Sequence, residues 1–158
     1  MGRFLELNDN INKILNKLVG SQDLCKLLYY NTTNPLSEAD IADTSTLLFS
    51  KIYPYHNFPD TVLNEGSLLN VVLDNFALGR DNPFFKTGTI SFVVLCHTNS
   101  WRITDMLRPF AILNEIDEIF NGTRIVGIGK GKFDRARILV SGNMWSGYEI
   151  SYKNYEFN

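Results

Sequence analysis

The side chains best able to do chemistry lie in residues 95–110, LCHTNSWRITDMLRPF. A thiol, Cys96, adjoins an imidazole, His97, and two guanidinium groups, Arg102 and Arg108, follow. A thiol beside an imidazole is the composition of a nucleophilic pair, in which the base takes the thiol proton. For that the two groups must meet in space. Ile90, Phe92, Val94 and Cys96 alternate with Ser91, Val93, Leu95 and His97. That is strand period, and neighbours on a strand point to opposite faces. The alternation predicts Cys96 in a core, His97 on the other side, and no catalytic pair.

Three other groupings invite the same question. Residues 126–133, VGIGKGKF, hold three alternating glycines and two lysines. A phosphate cradle needs a strand before the glycines and a helix N-terminus after them. Here a helix precedes and a strand follows, so the segment reads as a turn. Glu115, Asp117 and Glu118 fall opposite the apolar stripe of a helix and read as its solvated side. Two histidines, His56 and His97, and two cysteines, Cys25 and Cys96, do not make a zinc spacing. The expectation is no catalytic residue, no cofactor and no metal, hence no enzyme.

Charge and composition narrow the class further. The formal net charge of −2 argues against a constitutive nucleic-acid binder. The basic stretch Lys130, Lys132, Arg135, Arg137 is interrupted by Asp134, and strand alternation divides it between two faces. Cys25 and Cys96 stand in apolar contexts and read as buried free thiols, suited to a reducing compartment. No apolar run reaches the roughly 18 residues of a membrane span. The opening MGRFLELNDN has neither a signal-peptide core nor, with Leu5 and Glu6 after Gly2, a lipidation motif. The expectation is a soluble chain made in the cytoplasm, one domain over residues 1–158.

The elements that position these groups follow from periodicity. Ile11, Ile14, Leu15 and Leu18 form one helical stripe, with Asn8 or Asp9 as cap and Gly20 as a left-handed terminator. Ser21 caps a second short helix, QDLCKLLYY. Residues 31–46 are a polar loop around Asn34-Pro35, and 47–53 read as a strand stopped by Pro54. Strands follow at 67–77 and 89–97, the first with a half-polar pattern that predicts a solvated second face. A helix begins at Pro109 and ends at Asn121-Gly122. Strands near 132–140 and 147–157 complete the set. The order α-β-β-β-α-β-β predicts an α+β fold, a mainly antiparallel sheet of about five strands with helices on one face.

Residues NPFFKTGTISFVVLCHTNSW and MLRPFAILNEIDEIFNG resemble a family of small neck proteins of tailed bacteriophages of Gram-positive hosts. The helical opening LNKLVGSQDLCKLLYY is similar to that family's N-terminus. The resemblance implies a structural virion protein, in the first place the tail terminator, or tail-completion protein. Copies would form a ring, a hexamer, that caps the tail tube and joins it to the head connector. The implied partners are the chain itself, the tail-tube protein and the connector or stopper protein. DNA would pass through the ring without sequence-specific contact, and no membrane is involved. The protein would be found in the virion, and in the host cytoplasm during assembly. Head-stopper and adaptor roles share the pattern.

Assembly gives the loop aromatics a second reading. Tyr53, Tyr55, Phe58, Phe84, Phe85, Trp101 and Trp145 either plug the local core or anchor a contact. Phe84 and Phe85 are the first choice for a subunit or tube contact, with Tyr55, Phe58, Trp101, Arg102 and Arg108 behind them. Two further classes stand beside this one. A small α+β enzyme would depend on Cys96, His97, Arg102 or Glu115, and a regulatory module would hold a discrete ligand or partner.

Overall fold

The computed structural model describes residues 3–59, 65–78, 86–125 and 129–157. Helix α1 (Arg3–Val19) starts before the expected caps, and its Ile14, Leu15 and Leu18 enter the core. Gly20 does not take the left-handed conformation expected of it. Its N–H bonds to the Asn16 carbonyl at 3.1 Å, and the chain passes straight into the next cap. There Ser21, extended, accepts from the Leu24 N–H at 3.2 Å and starts α2 (Gln22–Tyr29) as expected.

The strand expected over 47–53 shrinks to β1 (Ile52–Tyr53). Asp43 caps a 3-10 turn, Thr44–Leu47, by accepting from the Ser45 N–H. The chain then reverses through Phe49 at φ 62°. The Phe49 N–H bonds to the Ile52 carbonyl and the Lys51 N–H to the Leu47 carbonyl, both at 2.8 Å. These local hydrogen bonds override the alternation of the sequence.

Strands β2 (Ser67–Leu78) and β3 (Lys86–His97) form the long hairpin the pattern predicts. Two small pairs follow at the joints: β4 (Arg102–Ile103) with β5 (Met106–Leu107), then, after helix α3 (Arg108–Phe120), β6 (Arg124–Ile125) with β7 (Gly129–Lys130). Pro109 sits in the first turn of α3, and Gly122 takes φ 71° just past its end. Strands β8 (Lys132–Ser141) and β9 (Trp145–Phe157) complete a five-stranded sheet in the order β1-β2-β3-β9-β8. All its pairings are antiparallel except β1 with β2. The α+β class stands.

The three helices cover one face. Ile14, Leu18, Leu24, Leu27, Ile112 and Ile116 meet Leu69, Val71, Ile90, Phe92, Val94 and Ile150 in one core. Each such side chain contributes about 1.5–3 kcal/mol by leaving water. Gly147, on β9 opposite Leu95, has no room for a side chain, since an added Cβ would fall on the Val94 carbonyl.

The second face departs from expectation, because part of it is buried. Leu68, Val93, Leu95 and Trp145 form a smaller core there, with Tyr53, Leu139 and Met144 around it. The segment before β2 lies against this side, where the Asn70 side-chain amide donates to the Asn57 carbonyl at 3.0 Å. Polar character persists further along, in the Ser91–Ser151 hydroxyl pair at 3.0 Å.

Candidate functional site

The joint that opened the sequence reading is built inward. Cys96 is buried in the main core, and burial pushes its thiol up to about 11, so the protonated form holds at neutral pH. His97 lies on the opposite face. Its Nδ1 accepts from the Asn99 N–H at 3.2 Å, and its ring stands edge-on to Trp145. The predicted separation of thiol and imidazole is what the register delivers.

Arg108 was expected at a subunit contact and is instead 0% exposed. Its Nε donates to the Ser100 carbonyl at 2.6 Å. One terminal nitrogen donates to Leu27 and Tyr30 at 2.6 and 2.9 Å, and the other donates to Thr32 at 2.8 Å. The guanidinium fork thus gathers the carbonyls at the end of α2 and in the loop after it. Burial lowers its pKa from the ordinary arginine value. Trp101 is half-buried and donates its indole N–H to the Cys96 carbonyl at 3.2 Å, so it too packs inward. Arg102 is exposed on β4. Phe84 and Phe85 lie outside the described residues.

The acidic trio on α3 is not simply solvated. Asp117 accepts the Tyr152 hydroxyl at 2.6 Å, tying α3 to β9, and burial with this carboxylate raises the tyrosine pKa. Glu115 is half-buried, and its pKa is raised by desolvation, then by Asp23 and Glu118. An open groove of about 990 Å³ runs between α1, α3 and β6. Lys13, Lys17, Arg124 and Glu118 line it, a mixed-charge wall. Among the described residues, no three His, Cys, Asp or Glu side chains come together to hold a metal. No helix among them is long and apolar enough to cross a membrane.

What the surface does offer is apolar, at both edges of the sheet. Beside β1, Phe49 is 61% exposed, and its ring centroid lies 6.4 Å from that of Tyr55, itself 5.8 Å from Tyr53. His56 stacks on Phe58 at 5.4 Å. Tyr55, an expected contact residue, thus belongs to an aromatic ledge with Phe49 and Tyr53, and Phe58, the other, follows three residues on in its own stack with His56. At the other edge, Ile138 and Val140 on β8 are 63% and 71% exposed, and Phe133 is also exposed. Their partners across the ladder, Tyr148, Ser146 and Tyr152, show that they share the helix-side face. The helix layer stops short of this strand, so among the described residues its core-facing row has no cover. Phe110 of α3, 5.0 Å from Tyr148 between ring centroids, extends the strip.

Phe49, Ile138, Val140, Phe133 and Phe110 are not among the contact residues that the sequence suggests. Alternation marks the β8 residues as one face, but only the packed structure shows that no helix reaches them. Phe49 was masked by its apparent place in a longer strand.

The family model described as YomW matches residues 21–154. The chain belongs to the YomW family. The match begins at the Ser21 cap and takes in α2, α3, the ledge and the β8 strip. The YomW name is of a phage-derived type, which makes this a phage-associated protein without specifying its role. No curated protein and no solved structure matches the chain.

Proposed function

We propose that this YomW-family chain is a structural component of the phage neck, in the first place the tail terminator, a ring of copies capping the tail tube and joining it to the head connector. The observation that carries the reading is the pair of uncovered apolar surfaces on opposite edges of one sheet. Apolar side chains at such exposure favour a protein that completes itself by contact with others. The groove between α1, α3 and β6, by contrast, is open and lined by mixed charge. The phage-derived family name supports a phage association, and the resemblance of residues 82–122 is what favours the neck within it. The partners are then further copies, the tail-tube protein and the connector or stopper protein. The virion is the final location, with no cofactor.

The test is to polymerise the tail-tube protein of the same phage, add the purified chain, and image tube ends by negative stain. Capping density at one end is expected, and cosedimentation with tubes should be saturable. Bare ends and no cosedimentation would remove the terminator role. Binding to the head connector alone would reassign the chain to the stopper or adaptor position.

A further inference from the structure

Lys51 is a half-buried cation that meets no carboxylate among the described residues. It lies in the reversal between the Thr44–Leu47 turn and β1, with Arg108 close enough to repel it. Burial first, and then that second positive charge, hold the Lys51 ammonium below the usual lysine range. Arg108 brings no acid of its own, since its guanidinium is held by carbonyl oxygens. Three acids of the neighbouring segments are engaged elsewhere. Asp40 pairs with Lys26 at 2.7 Å, Asp43 accepts from the Ser45 N–H, and Glu65 accepts from the Asn99 amide at 2.9 Å. Two cations drawn out of water beside each other, with no counter-ion, are costly.

We propose that Lys51 and Asn31 form a binding site for a phosphate group, free or on a small ester, with Arg108 behind them as charge and not as a contact. The notch is built at Gly66, which takes φ 142°. A Cβ at that position would lie 3.0 Å from Lys51 Nζ, 3.6 Å from Asn31 Oδ1 and 3.9 Å from Asn31 Nδ2. Ammonium and amide therefore flank one point, with buried Gly66 as the floor and Asn31 exposed to solvent. Both supply N–H donors, and the amide can turn its nitrogen toward an acceptor. The surroundings are short of acceptors. Ser100, whose carbonyl holds Arg108 Nε, has a buried hydroxyl with no hydrogen-bond partner. Two formal positive charges suit a dianion better than a single carboxylate. An anion in the notch would join Asn31, next after the residue that ends α2, to the loop that leads into β1.

This site is independent of the neck reading. The test melts the full chain in chloride buffer and in inorganic phosphate, glycerol phosphate or acetate at matched ionic strength, with calorimetric titration of inorganic phosphate. The parent should melt later as phosphate rises, saturably and with one ion per chain, because a ligand of the folded form stabilises it. Acetate, with one charge, should do less. Lys51→Met should weaken phosphate binding ~10-fold or more. In chloride the same variant should melt no earlier than the parent, since it removes a cation that Arg108 repels. Asn31→Asp sets a carboxylate beside the ammonium, so it should melt later in chloride and no longer respond to phosphate. With inorganic phosphate bound, a matching effect of glycerol phosphate upholds the site for esters, and no effect of the ester upholds it for the free ion. A parent that responds to phosphate no more than to acetate overturns the site. So does a phosphate response that persists undiminished in both variants.

Discussion

Taking away the Arg108 guanidinium would deprive four carbonyl oxygens of a donor, those of Leu27 and Ser100 in buried positions and those of Tyr30 and Thr32 in partly buried ones. Buried acceptors without donors, together with the lost charge-assisted bonds, set the scale of the effect. Arg108→Met should cost about 3–5 kcal/mol in urea unfolding, and Arg108→Lys, which lacks the planar fork, should recover only part of it. Glu115 gives the opposite sign. Its folded pKa lies above the ordinary 4.5, so the ionised group weakens the native state. Stability from this group is fully present below the unfolded pKa and is lost as pH rises through the folded one. Glu115→Gln should therefore stabilise the fold at pH 7 by about a few tenths of a kcal/mol, given its partial exposure, and so raise the melting temperature, with the difference vanishing near pH ~4. Melting curves of both chains across that range check it. At this scale the sequence was a fair guide to Cys96 and His97, because alternation fixes which way neighbours point. It was a poor guide to Arg108. An arginine before a proline reads as surface unless the carbonyls that will surround it, 76 to 81 residues earlier in the chain for α2 and its loop, can be placed.

Element by element, the sequence spoke most clearly where one periodicity ran unopposed. The β2–β3 hairpin, α2 with its Ser21 cap, and α3 between Pro109 and Gly122 were all legible on that ground. Residues 47–53 were not, because the Asp43 cap and the Leu47 carbonyl compete locally for the same backbone that a strand would use. Cover is equally hard to read. Alternation says that Leu68, Val93 and Leu95 share a side, but the burial of that side depends on Trp145 and Asn57 arriving from distant segments. The sheet has one position with no tolerance at all. Gly147 lies against β3, and Gly147→Ala should prevent the central pairing rather than merely weaken it. The expected readout is insoluble or unfolded protein, seen as loss of the native circular dichroism spectrum. A variant as stable as the parent would show that β3 and β9 can move apart to admit a methyl group.

For the molecule as a whole, stability and association should pull in opposite directions at Phe49. Phe49→Gly removes left-handed strain and should stabilise the isolated chain by up to ~1 kcal/mol, after allowance for the looser unfolded chain. The same change deletes a ring from the ledge and should weaken self-association measured by sedimentation. A variant that melts later yet assembles less would be the signature of a residue kept for contact rather than for folding. One that melts earlier would mean that the Tyr55 neighbour, 6.4 Å away between centroids, contributes more than the backbone strain costs.

The order of the sheet also sets a timetable for synthesis. Strand β8 is held only by β9, and β9 must first insert beside β3, which was made some 60 residues earlier. While the ribosome is still translating the last segment, the hairpin of β2 and β3 has one side bare and the β8 strand has nowhere to dock. The strip at Ile138 and Val140 therefore depends on β9 being in place beside β3. In the proposed assembly, a chain would recruit neighbours through that edge only once β9 has paired with β3.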